Sequence, residues 1–162
     1  MNSTQLASYL YPAPFGYLRL RRSGEGISHI DFVAPDLVVK DGGEPLSAFW
    51  QPYVQALDAY FTDALQPFPF ALAVTGTDFQ QRVWAQIAAI PVGETRSYQD
   101  LAVALGSHAR AVGQACGRNP VPVWVPCHRV VPKNGGLGGF NLGQEAWLLN
   151  VKRWLLAHEG VI

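Results

Sequence analysis

At Thr75-Gly76-Thr77-Asp78 the spacing of apolar residues changes, and this break constrains the fold more than any other feature of the chain. Before it, Tyr17 to Arg21 and Ile27 to Phe32 read as β-strands, with Ser23-Gly24-Glu25-Gly26 supplying turn chemistry between them. Phe49, Tyr53, Leu57, Tyr60 and Phe61 then recur at helical spacing. They predict an amphipathic helix packed on the hairpin, ended by Pro67 and Pro69, with a further strand over 70–74. Residues 1–76 are therefore expected to form a small α+β domain, an antiparallel sheet with helices.

After the break the period is helical. Thr77 or Asp78 can cap a helix whose face is Phe79, Val83, Trp84, Ile87 and Ile90, stopped by Pro91 and Gly93. Ser97 can cap a short helix ending at Gly106. Ser107 can cap another, 108–117, which ends before Asn119-Pro120. Two short helices joined by a glycine-containing turn predict a helix-turn-helix, so 77–162 is expected to be a mostly helical, winged-helix-like domain. Short helix pairs also occur in plain all-α cores, and the pattern alone leaves both readings open. The valines and prolines of 121–131 predict an extended, rigid segment. A glycine-rich loop follows over 133–139, and Trp147, Val151, Trp154 and Leu155 predict a last helix stopped by Gly160.

Charge separates the two halves. Residues 1–76 carry four basic and seven acidic side chains, and 77–162 carry eight and five, giving net −3 and +3. The second half is the one suited to a polyanion. No apolar run is long enough to span a bilayer, and the first residues lack the charged and apolar regions of a secretory signal. Two cysteines, Cys116 and Cys127, make neither a disulfide framework nor a cysteine-rich zinc site. A reducing, cytoplasmic location is expected.

Cys127 lies in Pro126-Cys127-His128-Arg129, beside a base and a cation that can activate a thiol. In an extended segment His128 would point away from the sulfur, so a bridging water or a local turn is required. A buried structural cysteine fits the same tetrapeptide. Cys116, within small and apolar residues, reads as packing. Ala109, Ala111 and Gly113 leave Arg110 as the lone long side chain of its helix turn, which suits either close approach to a groove or a tightly packed core. Glu159 sits at a helix C-terminus, where an acid is disfavoured; the small cost points to a partner such as a His or Arg, and fraying with solvent exposure fits as well.

Taken together, RAVGQACGRNPVPVWVPCHRVV, the glycine-rich loop, KRWLLAHEG and the upstream FQQRVWAQIAAIPVGETRSYQDLA resemble the O6-alkylguanine-DNA alkyltransferases, also called methylated-DNA–protein-cysteine methyltransferases. The resemblance extends more loosely to PFGYLRL and ISHIDF. It implies a monomer that binds duplex DNA through the minor groove, flips out O6-alkylguanine and moves the alkyl group irreversibly to Cys127. His128 would be the base, acting through a water, and Glu159 would orient it. Asn119 would hold the turn before the acceptor, and Tyr98 would donate to the departing guanine. Arg110 would enter the base stack, with Ala109, Ala111, Gly113 and Tyr98 against the groove.

Val130, Trp124, Phe140 and Asn141 would line the substrate pocket, with no metal or cofactor. The chain departs from the family pattern at Asn141, where a serine is usual, and in a longer stretch over 143–147. The alternative is a non-reactive alkyltransferase-like lesion sensor, which carries a different residue at the cysteine position. A cysteine hydrolase lacks an acyl-binding motif, and a helix-turn-helix regulator leaves the PCHR tetrapeptide and Glu159 without a role.

Overall fold

The computed structural model describes residues 7–24, 26–36, 42–68, 74–140 and 146–162. The chain divides into two compact units, Met1–Val74 and Thr75–Ile162.

In the first unit, β1 (Ser8–Ala13), β2 (Gly16–Ser23) and β3 (Gly26–Val33) form an antiparallel sheet in that order. The expected hairpin is β2–β3. Leu18 and Leu20 are fully buried at alternate positions of β2, and Leu20 pairs with buried Ile30. Strand β1 was not expected, because Pro12 interrupts the pattern. As an edge strand it tolerates a residue that cannot donate to a ladder, and Pro12 pairs with Tyr17 there.

Helix α1 (Gln51–Thr62) buries Tyr53, Ala56, Leu57 and Tyr60. It ends at Asp63, not at Pro67 or Pro69, and Phe49 precedes it. The Asp63 backbone is already extended and its N–H closes on Ala59 O at 2.8 Å, so the helix stops before any proline is reached. Of the strand expected over 70–74, only Val74 lies within the described residues, and it has no regular structure.

The second unit holds α2 (Asp78–Ala88), α3 (Tyr98–Leu105), α4 (Ala109–Gly117) and α5 (Ala146–His158). Thr77 caps α2 in a reciprocal box with Gln80, and Ser97 caps α3 in the same way with Asp100. Gly106, at φ 63°, ends α3 in the left-handed region. The cap of α4 is His108 rather than Ser107: its Nδ1 accepts from the Ala111 N–H at 3.3 Å. Ser107 is drawn back into the α3 terminus, where its N–H reaches Ala102 O at 2.9 Å.

Val83, Trp84 and Ile87 of α2 face Val112, Ala115 and Cys116 of α4 in one core. Trp84 donates its indole N–H to Ala115 O at 2.9 Å. Gly76 must be glycine for this to fit, since a Cβ there would lie 2.5 Å from the indole ring.

The expected extended run over 121–131 is instead a set of tight turns. Only β5 (Val130–Val131) is strand, paired parallel with β4 (Arg96–Ser97). Among the described residues of this unit these are the two strands, and neither belongs to an antiparallel wing. Among the described residues no helix is long and apolar enough to cross a membrane.

Candidate active site

Two turns place the reactive residues. Asn119 follows α4, buried, and its side chain is used at both ends. Its Nδ2 donates to Val125 O at 2.8 Å, and its Oδ1 accepts from Val121 N–H at 3.0 Å. Between them Val123 is held at φ 74°, a conformation costing a β-branched residue roughly 1–3 kcal/mol. Val125 N–H to Val121 O, at 2.9 Å, closes the turn and helps offset that strain. Cys127–Arg129 then form a single 3-10 turn, with Arg129 N–H on Pro126 O at 2.9 Å. This is the local turn that an extended reading of the segment lacks.

The other half of the site comes from the end of α5. Gly160, at φ 82°, terminates the helix; its N–H bonds Ala157 O at 3.1 Å and Val161 N–H bonds Leu156 O at 2.9 Å. Glu159 is thereby set at the helix end with its side chain wholly buried. Its Oε2 accepts from His128 Nε2 at 2.8 Å and Arg129 Nη2 at 2.9 Å, and its Oε1 accepts from Arg129 Nε at 2.7 Å. Arg129 Nη1 continues to Ile90 O at 2.7 Å, just beyond α2. The acid at this helix end is thus partnered by both His128 and Arg129, and is neither frayed nor exposed.

A carboxylate only accepts, so His128 carries its proton on Nε2 and keeps its lone pair on Nδ1. That Nδ1 is buried and has no hydrogen-bond partner among the described residues. Burial lowers the His128 pKa, more than Glu159 raises it. Burial likewise raises the Cys127 thiol, against hydrogen bonding from Asn119 and the charge of Lys152. The resting site therefore holds a neutral thiol and a neutral imidazole. Glu159 is placed to stabilise a positive charge on His128. Tyr98, at the start of α3, is pushed well above the ordinary phenol range by burial and by the Cys116 and Cys127 thiols, so its hydroxyl stays protonated. Its ring lies by Gly113 and Gly138: Cβ atoms built there would be 4.0 and 3.7 Å from it.

Residues 78–161 match the 6-O-methylguanine DNA methyltransferase DNA-binding domain, and 7–74 match the 6-O-methylguanine DNA methyltransferase ribonuclease-like domain. A methylated-DNA–protein-cysteine methyltransferase of Methanosarcina acetivorans is 37% identical over 93% of this chain and 96% of its own. That of Mycobacterium tuberculosis is 39% identical over 91% and 88%. Mycobacterium tuberculosis OGT in complex with DNA superposes with TM-score 0.79 at 36% identity, over 95% of this chain and 92% of the other. The chain belongs to the 6-O-methylguanine DNA methyltransferase family.

Within this methyltransferase, Cys127, His128, Glu159 and Asn119 come together in one buried cluster, with Tyr98 at its side. Val130, Trp124 and Phe140 are buried nearby in sequence, while Asn141 lies outside the described residues. On α4, Val112, Ala115 and Cys116 face inward, and Ala109, Arg110, Ala111 and Gly113 retain solvent exposure. Arg110 is exposed and makes no ion pair or hydrogen bond among the described residues, so it does not cap the edge of a packed core helix.

Two residues of the cluster were missed. From the sequence Arg129 reads as a cation beside the thiol, not as a partner of Glu159. Lys152 was overlooked, although a lysine on the apolar stripe Val151, Lys152, Leu155, Leu156 is itself a signal.

Burial has a measurable consequence at alkaline pH. Cys116 is pushed up to about 12, and Cys127 and Tyr98 are also raised. Acids with raised folded pKa contribute stability below the unfolded value and lose it as pH climbs toward the folded one. Lys152, lowered to about 8, acts oppositely: its penalty is relieved as pH rises from about 8 toward 10.5. With Tyr11, also raised by burial and by Asp58, four groups oppose one, so the urea midpoint is expected to fall between pH 8 and pH 11, and Cys116→Ala to lessen the fall. An unchanged wild-type midpoint would show that these thiols are not held protonated by the fold.

Proposed function

We propose that this protein repairs O6-alkylguanine, chiefly O6-methylguanine, in duplex DNA by transferring the alkyl group to Cys127 in a single turnover. The observation that carries this reading is the buried His128–Glu159 pair at 2.8 Å, with the His128 Nδ1 lone pair left open one residue from the cysteine.

The duplex binds along the exposed face of α4, through its minor groove. Ala109, Ala111 and Gly113 permit close approach there, and Arg110 enters the stack in place of the extruded guanine. Trp124, Val130 and Phe140 bound the space that receives the base. A water between Cys127 and His128 Nδ1 relays the thiol proton to the imidazole, and Glu159 stabilises the resulting imidazolium. The sulfur attacks the alkyl carbon, a C–S bond forms, and the C–O6 bond breaks with its electron pair passing to guanine. Tyr98 donates a proton to the departing base, so guanine leaves neutral. Asn119 positions the acceptor by holding the turn on which Cys127 sits.

Among the described residues no group beside Cys127 could reverse thioether formation, so each molecule acts once, as a monomer and without metal or cofactor. Its place of action is the reducing cytoplasm. A lesion sensor would need no acceptor thiol, and Cys127 with its base argues against one.

Intact-protein mass spectrometry after incubation with a duplex carrying one O6-methylguanine tests this. One added methyl group per protein, mapped to the Cys127 peptide and absent in Cys127→Ala, is expected. Lesion-selective binding with no mass change would instead establish a sensor.

A further inference from the structure

Lys152 has an arrangement that the transfer chemistry has not used. Its side chain is fully buried on α5, and its ammonium donates to three main-chain carbonyls: Val130 O at 2.8 Å, Leu137 O at 2.6 Å and Gly139 O at 3.2 Å. Three N–H groups meet three acceptors, and no carboxylate lies within ion-pair distance among the described residues. Burying an unpaired ammonium is costly, and its retention asks for a reason.

One carbonyl is on β5, three residues after Cys127, and the other two are in the glycine-rich loop. That loop contains Gly135 and Gly138 in the left-handed region and has little conformational preference of its own. At Gly138 it passes close to Tyr98 and Pro132, where a Cβ would lie 3.7 and 3.0 Å from the two rings.

We propose that Lys152 is a positioning residue: it latches the loop at 137–139 onto Val130, fixing the pocket wall beside Tyr98, and while protonated supplies a positive charge that favours the Cys127 thiolate. This rests on Cys127 being the alkyl acceptor. The charge and the latch belong to one titrating group, lowered to about 8 by burial. Above that pH the amine keeps two N–H donors for three carbonyls and loses its charge, so the loop loosens.

The test combines hydrogen exchange with thiol chemistry on the full chain. In wild type, protection factors of the 137–140 amides are expected to fall as pH rises through about 8, while those of α2 hold. In Lys152→Met the same loop amides lose at least about 10-fold in protection already at pH 7. The pH midpoint for iodoacetamide modification of Cys127, mapped by peptide, moves up by about one unit. Transfer from free O6-benzylguanine slows, and Lys152→Gln, uncharged but able to donate, restores loop protection in part without restoring the thiol midpoint.

A folded Lys152→Met with wild-type loop protection and thiol midpoint would overturn the proposal. Should that variant not fold, a wild-type loop whose protection is flat across pH 8 would overturn it alone. Wild-type protein that fails to alkylate Cys127 at all would reject the acceptor reading instead.

Discussion

Replacing Glu159 by alanine is expected to cost about 3–5 kcal/mol of stability and to slow alkyl transfer by roughly three orders of magnitude or more. The stability loss follows from Arg129. Its guanidinium is buried and spends two of its donors on the Glu159 carboxylate, at 2.7 and 2.9 Å. Without that carboxylate the charge remains inside, met among the described residues only by Ile90 O. Removing one partner of a buried pair costs far more than the pair itself contributes.

The kinetic loss follows from His128. Its Nε2 proton is held by Glu159, which keeps the basic lone pair on Nδ1; freed, the ring can take the other tautomer or turn. Glu159→Gln separates the two effects. An amide oxygen still accepts from His128 but offers Arg129 no charge, so transfer should exceed that of the alanine variant while stability stays well below wild type. Urea unfolding and single-turnover transfer from a lesion duplex give the two readouts. Wild-type transfer by a folded Glu159→Ala protein would remove Glu159 and the His128 tautomer from the mechanism.

Arg110→Ala is expected to slow repair of a lesion duplex by roughly 100-fold, while reaction with free O6-benzylguanine stays within about threefold of wild type. Extruding a nucleotide costs a few kcal/mol, and a side chain occupying the gap offsets part of it; about 3 kcal/mol corresponds to two orders of magnitude. A free base needs no extrusion. Arg110 is exposed and holds no hydrogen bond or ion pair among the described residues, so its removal should leave stability within about 0.5 kcal/mol of wild type. Equal losses on duplex and free base would assign Arg110 to general site structure rather than to the stack.

Both variants probe features whose legibility in the sequence differed. The helix starts at Thr77 and Ser97 and the stops at Gly106 and Gly160 could be read directly, because each is decided within four residues by side chains that satisfy orphan backbone groups. The β2–β3 hairpin was equally local. Cap identity at α4 was not: Ser107 and His108 both carry an acceptor, and the α3 terminus claims the Ser107 backbone, leaving His108 to cap.

The turn around Cys127 was misread because its valines and prolines favour extended backbone. Asn119, six to eight residues upstream of Val125 and Cys127, overrides that preference through Val125 O and holds Val123 at positive φ.

By itself, then, the sequence determined the local elements, the change of period at Thr75–Asp78, and the group of residues types that marks the family. Those depend on interactions a few residues apart. Only the tertiary structure decided that Glu159 serves Arg129 as well as His128 across thirty and thirty-one residues of chain. It alone revealed Lys152 as the buried donor gathering Val130, Leu137 and Gly139. A buried charge must find its acceptors wherever folding brings them, and in these cases they are main-chain oxygens and a distant carboxylate that no local pattern records.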